Sequence, residues 1–539
     1  MLRIVLFIYL SFLSFISCRE FDPGLYQESL DNGLLVNEGF NRCISYVNAW
    51  NLHADSITGL IPRNLRESSD YWNAWDAAAD NYPFMVLTSS ILMPEFFSGK
   101  ALRMLESEKL LTPRIGRLPD TYSFTKQGFL NETIDTSQVI FGSAEYMKDG
   151  LIPLTEWLGE SPWSERMTEI LDDIPLLTRV VKEMKGKSFG PNAVMEVNGD
   201  LLQVLSRMYW FTGKKEYLEW GALIADYYLN GLNLPVTNSA RLRIRDHGCE
   251  IISGLCEIYL AAYYAWPEKR AEWKPFIRKM LDRILEAGRN EDGLFYNEIN
   301  PVTGEIISGG IADNFGYTLN AYYFVGIIDS VPGYREAVLK ALSVLYEKYR
   351  NFNWENGGCD GYADAIEGAL NLFNREPVEE ARKWLDSEIK VMWKYQKPDG
   401  IVEGWHGDGN FARTTIMYCL WKTMGILPDH WDEKLLIGAY EKNGILRIAL
   451  SCENGWQGKI KFETPRYSEK MHMPADYPRI NQFQQWFTPD RKSEYRVSFF
   501  PSGKKVKFTG EELINGIPVT VRPGEIKYIE VKGKNMRHF

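Results

Sequence analysis

The stretch GGIADNFGYTLNAYYF, residues 309–324, opens as a Gly-rich turn with an acid and an amide and runs on as an apolar, aromatic segment of helical length. Its apolar positions leave no polar stripe, so the segment predicts a helix buried on every side, with Asp313, Asn314 and Tyr317 at its start. Six further stretches share this form: 71–90, 139–154, 195–211, 245–265, 360–373 and 407–425. Between them lie amphipathic, charged segments at 164–185, 215–231, 270–288, 334–350 and 377–396. The alternation repeats one helical hairpin every ~45–65 residues. Buried helices inside and striped helices outside make two concentric rings, an all-α (α/α)6 toroid. Six hairpins are expected, because the seventh inner-type stretch has no evident outer partner. An α-solenoid is the alternative, and helices without an exposed stripe speak against it.

Past residue 435 the pattern changes to short alternating runs, 444–453, 458–465, 494–503, 516–524 and 526–534, bounded by Gly and Pro. These predict a small C-terminal antiparallel β-sandwich. The expected organisation is therefore a leader over 1–18, a helical barrel over 19–435 and a β-sandwich over 436–539. The leader MLRIVLFIYLSFLSFISC has one early Arg, a short apolar core and Ser17-Cys18. It reads as a secretion signal with a lipoprotein-like cleavage site, Cys18 taking the lipid. An exported protein follows, in the periplasm or on the outer membrane, touching a membrane only through that anchor. The other six Cys are scattered without a CxxC pair, which argues against zinc and against a disulfide framework.

The chain has 539 residues and a formal net charge of −10, so it carries no electrostatic footprint for nucleic acid. Aromatic residues make up 14%, with 17 Trp and 29 Tyr, a surplus suited to stacking on sugar faces. If the inner helices run parallel, their N-terminal ends share one mouth, where unpaired N–H groups and positive dipole ends converge on an anionic ligand. The candidate lining is Trp72, Glu196, Asn198, Arg245, His247, Asn314, Tyr317, Tyr362, Asp364, Trp405, His406 and Arg413. Asp246, Asp313 and Asp408 occupy positions where N-caps sit. No HExxH or similar spacing points to a metal, and no cofactor is expected; a structural Ca²⁺ would leave little trace in sequence.

The leader, the helical alternation, the C-terminal strands and the motifs ADNFGYTLNAYYF, RIRDHGCE and EGWHGDGNFARTTIMYCLWK together resemble the secreted L-rhamnose-α-1,4-D-glucuronate lyases of gut Bacteroides, toroid polysaccharide lyases acting on arabinogalactan protein caps. The resemblance implies β-elimination: a tyrosine removes H5 of glucuronate, rhamnose leaves from O4, and a Δ4,5-unsaturated uronate remains. It places the base on Tyr317, with Tyr146 and Tyr362 as other tyrosines at inner-helix starts. Arg245, Asn198, His247 and Arg413 are the available partners of the substrate carboxylate, and cations beside Tyr317 would favour its phenolate. H5 and O4 share one side of the ring, so one tyrosine can take the proton and return it. Two rivals stand beside this reading: an (α/α)6 glycoside hydrolase of uronic-acid oligosaccharides using carboxylates such as Asp364 and Glu367, and a non-catalytic glycan-binding lipoprotein.

Overall fold

The computed structural model describes residues 21–174, 191–237 and 239–535; the leader, with Cys18, lies outside them. Fifteen helices matter for the site. They are α1 (Gln27–Leu52), α2 (Tyr82–Leu92), α3 (Leu102–Leu111), α4 (Thr136–Glu145), α5 (Ile152–Leu158), α6 (Pro162–Asp173), α7 (Pro191–Thr212) and α8 (Lys215–Tyr228), then α9 (Glu250–Ala265), α10 (Pro267–Ala287), α11 (Phe315–Ile328), α12 (Pro332–Lys348), α13 (Cys359–Phe373), α14 (Glu379–Met392) and α15 (Asn410–Lys422).

The helices without a polar stripe follow one another in contact round a closed cycle: α2, the α4–α5 rod, α7, α9, α11, α13 and α15, which returns to α2. Every residue of α15 is buried, and so are all but the last two of α11. The striped helices pack outside this ring. In α14 the buried residues are Ala381, Trp384, Leu385, Glu388, Ile389 and Met392, one face at helical spacing. Among the described residues the ring holds all seven inner-type stretches, where the sequence reading expects only six of them to have an outer partner. The missing outer partner of α15 is α1, which comes from the N-terminal end of the chain and packs on both α15 and α2.

Glycine sets the spacing inside the ring. A Cβ on Gly316 of α11 would lie 2.6 Å from Gly368 Cα on α13, and one on Gly254 of α9 would lie 2.4 Å from the Gly199 carbonyl oxygen on α7. Helices this close leave no room for a side chain at either crossing. All six described cysteines are free and buried, and no described helix is long and apolar enough to cross a membrane.

The C-terminal strands form two antiparallel sheets. The five-stranded one runs, in spatial order, Leu435–Lys442, Ile445–Cys452, Ile526–Lys532, Glu494–Phe500 and Lys504–Thr509. The three-stranded one orders Ile517–Val521, Trp456–Lys461 and Leu427–Pro428. Strands Leu435–Lys442 and Lys504–Thr509 lie outside the runs expected from the sequence. Helix α1 lies against the first of them: Ser29 Oγ donates to the Arg447 carbonyl and Asn32 Nδ2 to the Ala439 carbonyl.

The segment 463–489, between the strands, contributes more than a buttress. It packs into the helical ring through Arg479, whose Nε and Nη2 reach Glu156 of α5 at 3.1 and 2.7 Å while Nη1 reaches Asp476 at 3.1 Å. Tyr477 Oη donates to Glu257 of α9, itself paired with Arg207 of α7. Removing one partner of such a pair strands a buried charge. Arg479→Ala is expected to lower unfolding free energy by ~3–5 kcal/mol, read from the midpoint of guanidinium denaturation at unchanged slope.

Candidate functional site

The N-terminal halves of the inner helices do converge. Arg413, on the first turn of α15, makes ion pairs with Asp364 (2.9 Å) and Glu367 (2.8 Å) of α13. Its Nη2 also donates to the Tyr317 hydroxyl of α11 at 3.3 Å. That hydroxyl lies 3.0 Å from Asp364 Oδ1 and 2.9 Å from Glu367 Oε2. Asn481, in the left-handed region at φ 59°, closes the cluster from segment 463–489. Its side-chain oxygen accepts from Arg413 Nη1 at 2.9 Å, its backbone N–H donates to Glu367, and its Nδ2 donates to Asp149 at 2.9 Å.

Two π-helical turns supply the next groups. Ala77–Asn81 carries Asp80, and Tyr146–Leu151 carries Lys148 and Asp149. A π turn rotates the helix face by one extra residue, and such turns recur at functional sites. Lys148 Nζ bridges Asp149 (2.7 Å) and Glu250 of α9 (2.6 Å). Glu250 is also held by Gln203 of α7. One hydrogen-bonded and ion-paired network thus runs through α7, α9, α11, α13 and α15 and the Tyr146–Leu151 turn.

At the open end two histidines stand among acids. His247, with 37% of its side chain exposed, has Nδ1 3.5 Å from Glu196 and 3.7 Å from Glu145, and Nε2 3.3 Å from Asp246. His406 has Nε2 3.7 Å from Asp76 and 3.8 Å from Asp80. Asn410 donates to Asp360 at 2.7 Å.

The lumen holds more acid than base, and protons reconcile the excess. Burial, with Asp149, Asp360 and Asp76 nearby, pushes Asp80 up to about 7 against the pull of His406. Burial and Asp360 do the same to Asp408, also up to about 7. Glu355 is pushed up to about 8 by burial, Asp360 and Asp313, and Asp313 up to about 6 mainly by burial. Burial, then Asp364 and Glu367, hold the Tyr317 phenol well above its ordinary value although Arg413 opposes them.

This alters the expected electrostatics of the mouth. Arg413 is spent on Asp364 and Glu367, Lys148 on Asp149 and Glu250, and Arg243 on Asp246. Arg245, which faces Asp313 and Glu355 at longer range, makes no ion pair with a described residue. Nor do the acids at helix starts act as caps. The N-cap positions of α9, α11 and α15 fall on Cys249, Asn314 and Gly409, and none makes a side-chain cap bond.

Of the residues singled out in the sequence, Tyr317, Asp364 and Arg413 form one cluster, His247 and Glu196 a second, and His406 a third with Asp76 and Asp80. Others serve the scaffold. Asn198 Nδ2 donates to Tyr228 of the outer helix α8, and Tyr362 Oη donates to the Phe352 carbonyl. Asn314 Nδ2 is bonded to the Asp246 carbonyl. Trp72 and Tyr146 line a small cavity together with Tyr82 and Glu108, on the side of α3. Trp405 is 78% exposed on the rim, with the Arg63 guanidinium 5.3 Å from its ring centre. Asp80, Lys148, Asp149, Gln203, Glu355 and Asn481 were missed. Charged residues inside the apolar runs WDAAADNYPF and EYMKDGLIPL were the available signal for the first three; Asn481 had none.

No protein-family model matches the chain, and no curated protein is similar to it in sequence. Among solved structures it is similar to the GH76A α-1,6-mannanase of Salegentibacter sp. HEL1_6, at 14% identity over 58% of this chain and 95% of that one, TM-score 0.41. It is similar to a possible GH105 member from Salmonella enterica at 13% identity, covering 52% and 81%, TM-score 0.38. The unsaturated glucuronyl hydrolase of Bacillus sp. GL1 follows at 12% identity, covering 54% and 86%, TM-score 0.38. At TM-scores this low, the likenesses carry no argument about what this chain does.

His247 gives the site a pH signature. Burial pulls its pKa down, but the facing carboxylates, Glu196 first and then Asp149 and Glu250, outweigh burial and Lys148 and push it up to about 9. A histidine raised above its ordinary value of ~6.5 contributes stability that is full below that value and is lost as pH rises through the folded one. Melting temperature should therefore fall between pH 7 and 10 more steeply in the wild type than in His247→Gln, followed by differential scanning calorimetry.

Proposed function

We propose that this chain is a glycan-active enzyme, a polysaccharide lyase that cleaves a rhamnose–glucuronate linkage of an acidic plant glycan by β-elimination. The observation that carries the reading is the Tyr317 hydroxyl, held by Arg413, Asp364 and Glu367 at 3.3, 3.0 and 2.9 Å. A phenol is a competent base only as phenolate; Arg413 is the group that favours the anion, and it works against burial and against Asp364 and Glu367, which accept the hydroxyl's hydrogen bonds at rest. Asp364, more open to the mouth than Glu367, accepts the proton first. The phenolate then removes H5 of the glucuronate, the C4–O4 bond breaks, and the phenol returns its proton to the departing rhamnose oxygen. The electron pair of the C5–H bond becomes the C4–C5 double bond. Delocalisation of the developing charge onto the substrate carboxylate calls for cationic partners, and Arg245 and protonated His247 are those at the open end.

One observation favours a second reading. Burial and Asp360 push Asp408 up to about 7, so this carboxyl can hold a proton at neutral pH, the requirement of a glycoside hydrolase's general acid. A non-catalytic, lipid-anchored glycan binder is the third, and it releases no sugar. An exported protein carrying its lipid on Cys18 fits all three.

Incubation of the purified protein with gum arabic separates them. The proposal expects free rhamnose together with rising absorbance of a conjugated enoate; rhamnose without that absorbance contradicts elimination and favours the hydrolase. Tyr317→Phe is expected to lower kcat by ~100- to 10,000-fold with KM little changed, and wild-type turnover in this variant would exclude Tyr317 as the base.

A further inference from the structure

We infer that Asp76, Asp80 and His406 form a binding site for one divalent transition-metal ion of the Zn²⁺ or Mn²⁺ class. The three donor atoms, Asp76 Oδ1, Asp80 Oδ2 and His406 Nε2, lie within 4.8 Å of one another. The nitrogen stands 3.7 and 3.8 Å from the two oxygens, outside the range of a hydrogen bond. Ligands placed ~2.1 Å from a shared ion in tetrahedral array lie ~3.4 Å apart, so the separations are close to those of a coordination shell rather than of an ion pair drawn into contact.

The atoms behind these donors are braced. His406 Nδ1 is 3.0 Å from the Gly407 carbonyl oxygen, which only accepts, so the proton sits on Nδ1 and Nε2 is the atom presented to the acids. Asp76 Oδ2 is held by Arg63 and by Asn73 Nδ2, leaving Oδ1 for the shared point. Asp80 Oδ1 is touched by Asn410 Nδ2 at 3.5 Å, leaving Oδ2. Partners of this kind fix the orientation and tautomer of metal ligands. Beside the trio, Asn410 is 5% exposed, its Nδ2 lies between Asp360 and Asp80 at 2.7 and 3.5 Å, and its Oδ1 has no partner among the described residues.

The resembling trio Glu145, Glu196 and His247 differs in the respect that matters. There Nδ1 faces Glu145 and Glu196 and Nε2 faces Asp246, so neither ring nitrogen is braced by a backbone carbonyl to aim the other at one shared point. One imidazole with two carboxylates selects a borderline ion over Ca²⁺ or Mg²⁺, which prefer all-oxygen shells. The inference is independent of the reaction proposed above, since it concerns binding alone.

The test is calorimetric titration of the chelator-treated full chain with Zn²⁺ and Mn²⁺, with Ca²⁺ for comparison and metal content measured after dialysis. One ion per chain is expected, with affinity reduced at least ~100-fold in Asp80→Asn and in His406→Gln and retained in His247→Gln. Should His406→Gln fail to fold, the isosteric Asp80→Asn carries the test alone. No binding by the wild type, equal binding by Asp80→Asn, or a preference for Ca²⁺ would each overturn the assignment.

Discussion

A single buried guanidinium organises the molecule. Arg413 has to be desolvated to sit inside the ring, and a desolvated cation is tolerable only with its charge paired and its N–H groups satisfied. Asp364 and Glu367 provide the charge, while Tyr317 and Asn481 provide acceptors. These partners come from three separate parts of the chain, two neighbouring inner helices and the segment that threads in from among the C-terminal strands. The pairing therefore ties the register of α11, α13 and α15 to the position of that segment. Asn481 extends the tie to Asp149, and through Lys148 to Glu250 on the far side of the ring.

The same constraint explains the acid-rich lumen. With Arg413 and Lys148 engaged on fixed partners, the remaining acids are brought together without matching cations. They remain buried because several hold protons near neutral pH, Asp80 and Asp408 up to about 7 and Glu355 up to about 8. A lumen of this kind stores proton-transfer capacity where the helix ends meet. Close helix crossings at Gly316 with Gly368 and at Gly199 with Gly254 make the crowding possible, and the π turns at Ala77–Asn81 and Tyr146–Leu151 turn charged side chains inward from otherwise apolar helices.

Much of this was legible in the sequence, for a physical reason. Helices with no polar stripe have nowhere to go but inside, so GGIADNFGYTLNAYYF and its counterparts announced the ring and the convergence of their polar starts. The outer partner of the seventh stretch stayed hidden because α1 lies more than 350 residues before the α15 it covers, and pairing at that separation leaves no local pattern. Tyr317, Asp364 and Arg413 were found because polar groups at the starts of buried helices are costly unless they serve something. Asn198 and Tyr362 obeyed the same rule and were satisfied by scaffold partners instead, a distinction that depends on tertiary neighbours. Asn481 was out of reach: an Asn in a strand-rich region looks like a turn residue, and only the threading of its segment into the ring gives it a role.

The most direct measurement of the central claim is a double-mutant cycle on stability with Asn481→Ala, Glu367→Gln and the double variant, by reversible guanidinium unfolding. If the Arg413 cluster is the tie between the inner helices and the threaded segment, the two changes are strongly coupled, with an interaction energy of at least ~1 kcal/mol. Additivity to within ~0.3 kcal/mol would show that the two residues act independently and would contradict the account.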